Sequence, residues 1–288
     1  MPGFLASSMS PRRRTAGYDR LRREEESIEA LLAQLACRIG DVEGNTARAI
    51  DAIRSNAHVD IAVFPELYLS GYTYRELDRL SRTVDSPELR QIAAAAADVG
   101  TAVVLGFAEA TSDGVANSVA CVDRDGSIAG VYRKTYLFPS EAEAGFVPGE
   151  ELLIVELAGR RVGPLICFDI EFPEPARQLA LAGADLLVTA SANMEPFYID
   201  HAVGSVARAH ENRLPHLYAN LVGSGDGLVF VGASRSIAPT GETLVEASVD
   251  REELLVVPVA ERGGFDERTD YPRFVRPPLP VRALADAR

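Results

Sequence analysis

Tryptophan is absent, cysteine is scarce and basic residues are outnumbered in this 288-residue chain. Each shortage excludes something. The three cysteines, Cys37, Cys121 and Cys167, are too few and too odd in number for a disulfide framework, which points to a reducing, cytoplasmic setting. No pair of them has zinc-site spacing, and the four histidines form no HExxH-type pattern, so no metal is expected. Against 42 acidic residues stand 29 Lys and Arg, a formal net charge of −13. That balance disfavours nucleic acid and anionic membranes, which need a basic face. No apolar run has the length of a membrane span. Arg12-Arg13-Arg14 has no apolar stretch behind it, so no secretory or twin-arginine signal is expected. There is no internal repeat and no mid-chain linker rich in Gly, Ser or Pro. The chain reads as one domain over residues 28–275, with a disordered arm at 1–27 and an extended tail at 276–288.

What is present is alternation. Ile28 to Cys37 reads as a strand, with a helix also open, Ile61 to Glu66 as a buried strand ending in proline and a carboxylate, and Ala102 to Ala108 as a strand, with helices over Thr46–Asn56 and the alanine-rich Pro87–Val99. Val115–Val122 and Ser127–Tyr132 flank Asp123-Arg124-Asp125-Gly126, a hairpin turn. A loop over Phe138–Glu150 carries Glu141 and Glu143, and Leu152–Leu157 with Val162–Ile166 makes a second hairpin. Ala202–Asn212 is a helix, and His216–Leu221, Leu228–Ile237 and Glu253–Val259 are strands. The sum is an α/β layered fold with mixed sheets.

The organising stretch is Val162 to Met194. An apolar strand runs into Cys167, acidic residues follow at Asp169 and Glu171, and Pro173-Glu174-Pro175 opens a helix that stops at Gly183. Chemistry in open α/β sheets sits at the carboxyl ends of strands, where Cys167 falls. Taken alone, a free cysteine is more often a small buried hydrophobe, and Cys37 and Cys121 are read that way, as strand residues in the core. Cys167 has company. Glu66 in VFPELYLSGY and Lys134 in YRKTYLF also follow strands. A thiol of ordinary pKa, roughly 8.5, is mostly protonated at neutral pH. A carboxylate beside it can take the proton, and a lysine can stabilise the thiolate and then an oxyanion.

These residues carry a resemblance to the nitrilase superfamily, the carbon–nitrogen hydrolases, which use a Glu–Lys–Cys triad. The family text FPEL…GY, YRKxHLF and CYDxEFPE is similar to Phe64-Pro65-Glu66-Leu67 with Gly71-Tyr72, to Tyr132-Arg133-Lys134-Thr135-Tyr136-Leu137-Phe138, and to Cys167-Phe168-Asp169-Ile170-Glu171-Phe172-Pro173-Glu174. Asn117-Ser118, Pro148-Gly149, Arg208 to Asn212 and Tyr218-Ala219-Asn220 also fit, so the resemblance covers most of the chain. Tyr136 and Phe168 depart from the common histidine and tyrosine, at positions outside the triad.

The resemblance implies a four-layer α-β-β-α sandwich with two mixed sheets, no cofactor, and homodimers or larger homo-oligomers paired through outer helices. It implies a thioester mechanism with catalytic Glu66, Lys134 and Cys167 and the Phe168 N–H at the oxyanion. A further loop glutamate is expected, with Glu141 and Glu143 both open. Arg208 and Glu211, three apart on a helix, are expected to pair behind the site. The substrate implied is a small aliphatic primary amide, since the text is most similar to amidases of the 5-aminopentanamidase type. An N-carbamoyl amine hydrolase, a nitrilase, or an inactive interaction module are the alternatives. The missing tryptophan counts against a nitrilase, and the intact triad counts against an inactive relative. Tyr72 and Asn193 are candidate substrate contacts. No arginine follows the nucleophile closely, and Asp169 and Glu171 do. A neutral or cationic amide is therefore expected, with Glu195, Glu141 or Glu143 facing a cationic end.

Overall fold

The computed structural model describes residues 28–263 and 265–277; the arm at 1–27 and residues 278–288 of the tail lie outside the described residues. The elements, in chain order, are β1 (Glu29–Gln34), α1 (Val42–Ser55), β2 (Ile61–Val63), α2 (Leu77–Leu80), α3 (Pro87–Val99), β3 (Ala102–Ala110), β4 (Val115–Val122), β5 (Ile128–Arg133) and α4 (Pro139–Glu143). There follow β6 (Val155–Leu157), β7 (Arg160–Ile166), a 3-10 turn (Cys167–Glu171), α5 (Pro173–Leu181), β8 (Leu186–Ser191), α6 (Tyr198–Asn212) and β9 (His216–Asn220). The chain closes through β10 (Val222–Gly225), β11 (Leu228–Val231), β12 (Arg235–Ile237), β13 (Thr243–Glu246), β14 (Glu253–Pro258) and a 3-10 turn over Tyr271–Phe274.

Two six-stranded sheets form, ordered β14-β1-β2-β3-β4-β5 and β13-β12-β9-β8-β7-β6. Each has a parallel centre, β1-β2-β3 in one and β7-β8-β9 in the other, and antiparallel flanks. Strand periodicity explains the layering. In β1, Ala30 and Leu32 point into the core between the sheets, where they join Val63, Val104, Ile166, Val188 and Leu217. Leu31 and Ala33 point the other way, into a core with Ala49 and Ile53 of α1 and Ile92 and Ala96 of α3. Leu31 and Leu32 are both fully buried, each contributing about 2 kcal/mol. Across the second sheet Leu165 and Leu187 pack against Ala176 and Leu179 of α5. The layers are helix, sheet, sheet, helix, as expected.

Helix ends follow their sequence signals. Asp41 Oδ1 accepts from the Gly44 N–H at 3.0 Å at the start of α1. Ser86 caps α3, Pro87 fills its first turn and Gly100 ends it at φ +71°.

Three expectations need correction. Leu228–Ile237 is not one strand. Gly232 and Ala233 take φ +50° and +55°, a left-handed step no strand tolerates, so β11 pairs with β10 while β12 joins the second sheet. Cys37 lies past the end of β1, partly buried, its sulfur accepting the Tyr72 N–H at 3.4 Å. The 138–150 loop contains the short helix α4, opened by Pro139.

Candidate active site

β2 ends at Val63, and the Phe64 N–H still bonds to the Val104 carbonyl at 2.8 Å before Pro65 stops the ladder. Glu66 is thereby thrown into the space between the sheets, with its N–H on the Ser191 carbonyl at 3.3 Å. The approach of β3 to this bend is so close that a Cβ at Gly106 would lie 2.2 Å from the Pro65 oxygen and 2.8 Å from the Glu66 Cα. Lys134 follows β5. Its N–H donates to the Asn117 carbonyl and its own carbonyl accepts from Gly149, both at 2.8 Å, so the backbone is held on both sides.

The side chains then meet. Lys134 Nζ donates to Glu66 Oε1 at 2.6 Å and to Glu141 Oε2 at 2.8 Å, and all three side chains are fully buried. Asn117 Nδ2 bridges the same carboxylates, 2.7 Å from Glu66 Oε1 and 2.6 Å from Glu141 Oε1. Glu66 Oε2 is buried and has no hydrogen-bond partner. It is the oxygen left free to take a proton.

Cys167 follows β7 and starts the 3-10 turn at φ +43°, a conformation unusual for a residue with a Cβ. Asp169 holds that turn. Its Oδ2 accepts from the Ile166 N–H at 2.8 Å and the Tyr132 hydroxyl at 2.9 Å, and its Oδ1 from the Tyr136 N–H at 2.9 Å and the Thr135 hydroxyl at 3.1 Å. One buried carboxylate therefore ties the cysteine turn to the segment carrying Lys134.

The electrostatics follow from burial. Glu66 is pushed up to about 7 by burial, with Lys134 opposing, Glu141 reinforcing and the Cys167 thiol opposing weakly. Burial pulls Lys134 down, but Glu141, Glu66 and Cys167 outweigh it, and the ammonium stays charged well above its ordinary range. Burial and then Glu66 push the Cys167 thiol well up, against Lys134, the Ala192 N–H and Ser191. At rest the proton sits on sulfur, beside a carboxylate that titrates near neutrality. That is the arrangement of a nucleophile with a general base.

The comparisons with known proteins agree with this geometry. The carbon-nitrogen hydrolase family profile matches residues 30–263. The chain belongs to that family. An (R)-stereoselective amidase of a Pseudomonas species is 42% identical over 222 residues, 76% of this chain and 80% of its own length. A hydrolase of Pseudomonas protegens is 36% identical over 254 residues, 87% of this chain and 88% of its own. Among solved structures, an alanine mutant of the Nesterenkonia AN1 amidase from the nitrilase superfamily superposes with a TM-score of 0.77 at 28% identity, covering 86% of this chain and 94% of that one.

In this carbon–nitrogen hydrolase the three triad candidates converge, and one of the two loop glutamates joins them. Glu141 is buried on Lys134, while Glu143, two residues on in a short helix, turns away and is exposed. Tyr72 is buried with its hydroxyl 2.8 Å from that of Tyr74, which is 3.0 Å from the Ser140 hydroxyl. Burial, then Glu66 and Glu141, hold the Tyr72 phenol protonated well above its ordinary range, which places the ring beside the triad. Phe168 is half-buried, its ring edge-on to Phe138 and Phe172 at 5.4 and 5.0 Å. Arg208 pairs with Glu211 and donates to the Ile170 carbonyl at 2.9 Å, behind the cysteine turn.

Other candidates are corrected. Asn193 Nδ2 donates to the Phe197 carbonyl at 3.1 Å and its Oδ1 accepts from the Met194 N–H at 2.8 Å, so it braces its own loop. Glu195 is exposed, in a surface hollow with Tyr198, Val229, Val249 and Asp250. Asp169 does not face a substrate's charge: both oxygens are committed inside. Asn117 and Asp169 were missed as site residues. The signal for Asp169 was available, a short carboxylate three residues past a strand end, where it caps the backbone turn. Asn117 stood out only as part of the Asn117-Ser118 signature, which gave it no role. Among the described residues no group of His, Cys, Asp and Glu could hold a metal ion, and no helix is long and apolar enough to cross a membrane.

Proposed function

We propose that this chain is an amidase that converts a small, neutral aliphatic primary amide to a carboxylic acid and ammonia through a cysteine thioester. The observation that carries the reading is the free Glu66 oxygen beside a protonated, buried Cys167 with a charged Lys134 on the opposite oxygen. As sulfur attacks the amide carbon, Glu66 takes the thiol proton. Lys134 and the Phe168 N–H stabilise the oxyanion. Glu66 passes the proton to the departing nitrogen, and ammonia leaves the thioester. Water then attacks, Glu66 accepts its proton, and collapse releases the acid and returns the proton to sulfur. Lys134 stays an ammonium throughout, since two carboxylates hold it.

A neutral substrate is favoured over a cationic one because the carboxylates available for a cation are occupied or elsewhere. Glu141 is on Lys134, and Glu143 and Glu195 are exposed. What borders the site is aromatic: Tyr72 lies edge-on to Phe230 at 5.6 Å, and Phe138 edge-on to Phe168 at 5.4 Å. The test is ammonia release from pentanamide, 5-aminopentanamide, 4-guanidinobutanamide and a succinamate-type acid amide. Pentanamide should show the highest kcat/KM. A best rate with an amino or guanidino amide would replace the neutral substrate by a cationic one, and a best rate with the acid amide would overturn the charge argument.

The same reading includes a homodimer. Ile199 and Val203, one turn apart on α6, are both 60% exposed, with Leu181 of α5 53% exposed in the same outer layer. Apolar side chains this open support pairing with a second copy. Light scattering is the check, and a monomer would overturn it. The free thiols support a reducing, cytoplasmic setting.

A further inference from the structure

A second buried polar chain reaches the nucleophile from the side of the second sheet, and the reaction as written does not use it. Ile166 pairs with Ala190 across the parallel strands β7 and β8, so Cys167 and Ser191 are neighbours at adjacent strand ends. Ser191 Oγ lies 3.0 Å from the Tyr218 hydroxyl and 3.3 Å from His201 Nδ1, and the Tyr218 hydroxyl lies 2.8 Å from that nitrogen. On its other side His201 Nε2 is 3.4 Å from Glu171 Oε1. His201 is 2% exposed, whereas the Glu171 side chain is 27% exposed, so the chain runs from the sulfur's neighbour to the molecular surface.

Counting protons gives the chain a direction. Ser191 Oγ already accepts the Asn193 N–H at 3.2 Å and has one proton to give. With His201 neutral, Glu171 favours the tautomer that carries hydrogen on Nε2, leaving an Nδ1 lone pair. Tyr218 then donates to Nδ1, Ser191 donates to the Tyr218 oxygen, and sulfur is left with the Ala192 N–H and no hydroxyl. With His201 protonated, Nδ1–H donates to Tyr218, Tyr218 to Ser191, and Ser191 to the Cys167 sulfur. Every bond reverses. We propose that His201 is a positioning residue whose protonation turns the Ser191 hydroxyl toward or away from Cys167. The proposal rests on Cys167 being the amidase nucleophile.

The surrounding charges fit this role. Burial holds His201 below its ordinary value, and Lys134 across the site adds to that, while Glu171 from the cysteine turn and Asp200 from α6 oppose. Tyr218 faces Cys167, Glu66 and Arg235, whose guanidinium stands 5.7 Å over its ring, and it keeps its proton throughout. At neutral pH the chain therefore points away from sulfur, which keeps its proton until Glu66 takes it. As pH falls Glu66 is lost as a base, but His201 gains a proton and swings Ser191 onto the sulfur, partly offsetting that loss.

The readout is the second-order rate of Cys167 alkylation by iodoacetamide between pH 5 and 7, located by peptide mapping. In the wild type it should fall by less than the roughly tenfold per pH expected of a single lost base. In Ser191→Ala, His201→Gln and Tyr218→Phe it should fall by the full factor. Combining Ser191→Ala with His201→Gln should add nothing to Ser191→Ala, because both act through one chain. Slopes identical to wild type, or additive effects, would overturn the proposal. A variant altered only in thermal unfolding, with the wild-type slope, gives His201 a packing role and also overturns it. The amidase reading fails separately, if Cys167→Ala still releases ammonia.

Discussion

The two sheets bring different kinds of group to one seam. The first supplies the ion cluster: Glu66 after β2, Lys134 after β5 and Glu141 from α4, gathered by Asn117 of β4. The second supplies the Cys167 thiol and a set of neutral donors and acceptors, Ser191, Tyr218 and His201. The difference teaches that neither half is a site. A thiol held in the second sheet alone has no base, and the ion cluster of the first alone has nothing to deprotonate. The apolar core between the sheets, from Leu32 and Val63 to Ile166 and Val188, holds the two in register, so packing and chemistry share one interface.

The largest expected effect removes the second sheet's contribution outright. Cys167→Ala should abolish ammonia release and leave the circular dichroism and unfolding midpoint near wild type; turnover within tenfold of wild type would sink the mechanism. Next come the charges of the first sheet, and here function and stability should part. Lys134→Ala and Glu66→Gln should each lower kcat by about 10²- to 10⁴-fold. Lys134→Ala should also cost about 3–5 kcal/mol, since it strands two buried carboxylates without a counter-ion. Glu66→Gln should do the opposite. A carboxylate raised from 4.5 to about 7 resists ionising in the fold, so its burden grows as pH rises from 4.5 and is complete above about 7. The variant should therefore match wild type in urea at pH 4.5 and equal or exceed it at pH 8. Wild-type kcat/KM should correspondingly fall as pH drops through about 7, because the base becomes protonated. A flat profile from pH 5 to 8 would count against Glu66.

A smaller effect is expected at the tie between the sheets. Asp169→Asn keeps the shape but cannot accept from four donors, so two or more lose their partner. A loss of about 1–3 kcal/mol and a rise in KM with a fall in kcat should be measured together; an unchanged kcat would show that the two strand ends hold their register without it. The smallest effect on turnover, none at neutral pH, is expected at His216, which binds Thr189 at 2.8 Å and the Ser205 carbonyl at 2.9 Å and bears on stability alone. Burial lowers it from 6.5 to about 4. Below pH 6.5 the unfolded chain takes up a proton that the fold refuses, so stability falls between pH 6.5 and 4, by roughly 3 kcal/mol for this group. His216→Gln should flatten that part of the urea-midpoint curve; a curve parallel to wild type would refute it.

Much of this was legible in the sequence, for definable reasons. Strand alternation and proline and glycine punctuation located most elements, and α5 runs from Pro173 to Leu181, where its signals put it. Glu66, Lys134 and Cys167 were legible as candidates because each follows a strand and lies in text similar to the family's motifs. The break at Gly232 and Ala233 was hidden because Leu228–Ile237 is apolar enough to read as continuous; in the fold a Cβ at Gly232 would lie 2.7 Å from the Ser248 carbonyl oxygen and 2.8 Å from Gln34 Nε2. The roles of Asn117, Ser191 and His201 were hidden because each depends on a partner more than ten residues away or in the other sheet. The acidic text after the nucleophile misled, because composition does not say whether a carboxylate is a charge or, as at Asp169, a clamp.

Gly106 has a consequence for how such a chain can change over generations. Its missing side chain leaves the room in which Pro65 and Glu66 bend toward the site. Any larger residue there would push the base away from the thiol without touching either, so the position is closed to drift by geometry. A lineage built on this scaffold keeps the place of Glu66 anchored to a hydrogen atom on a neighbouring strand.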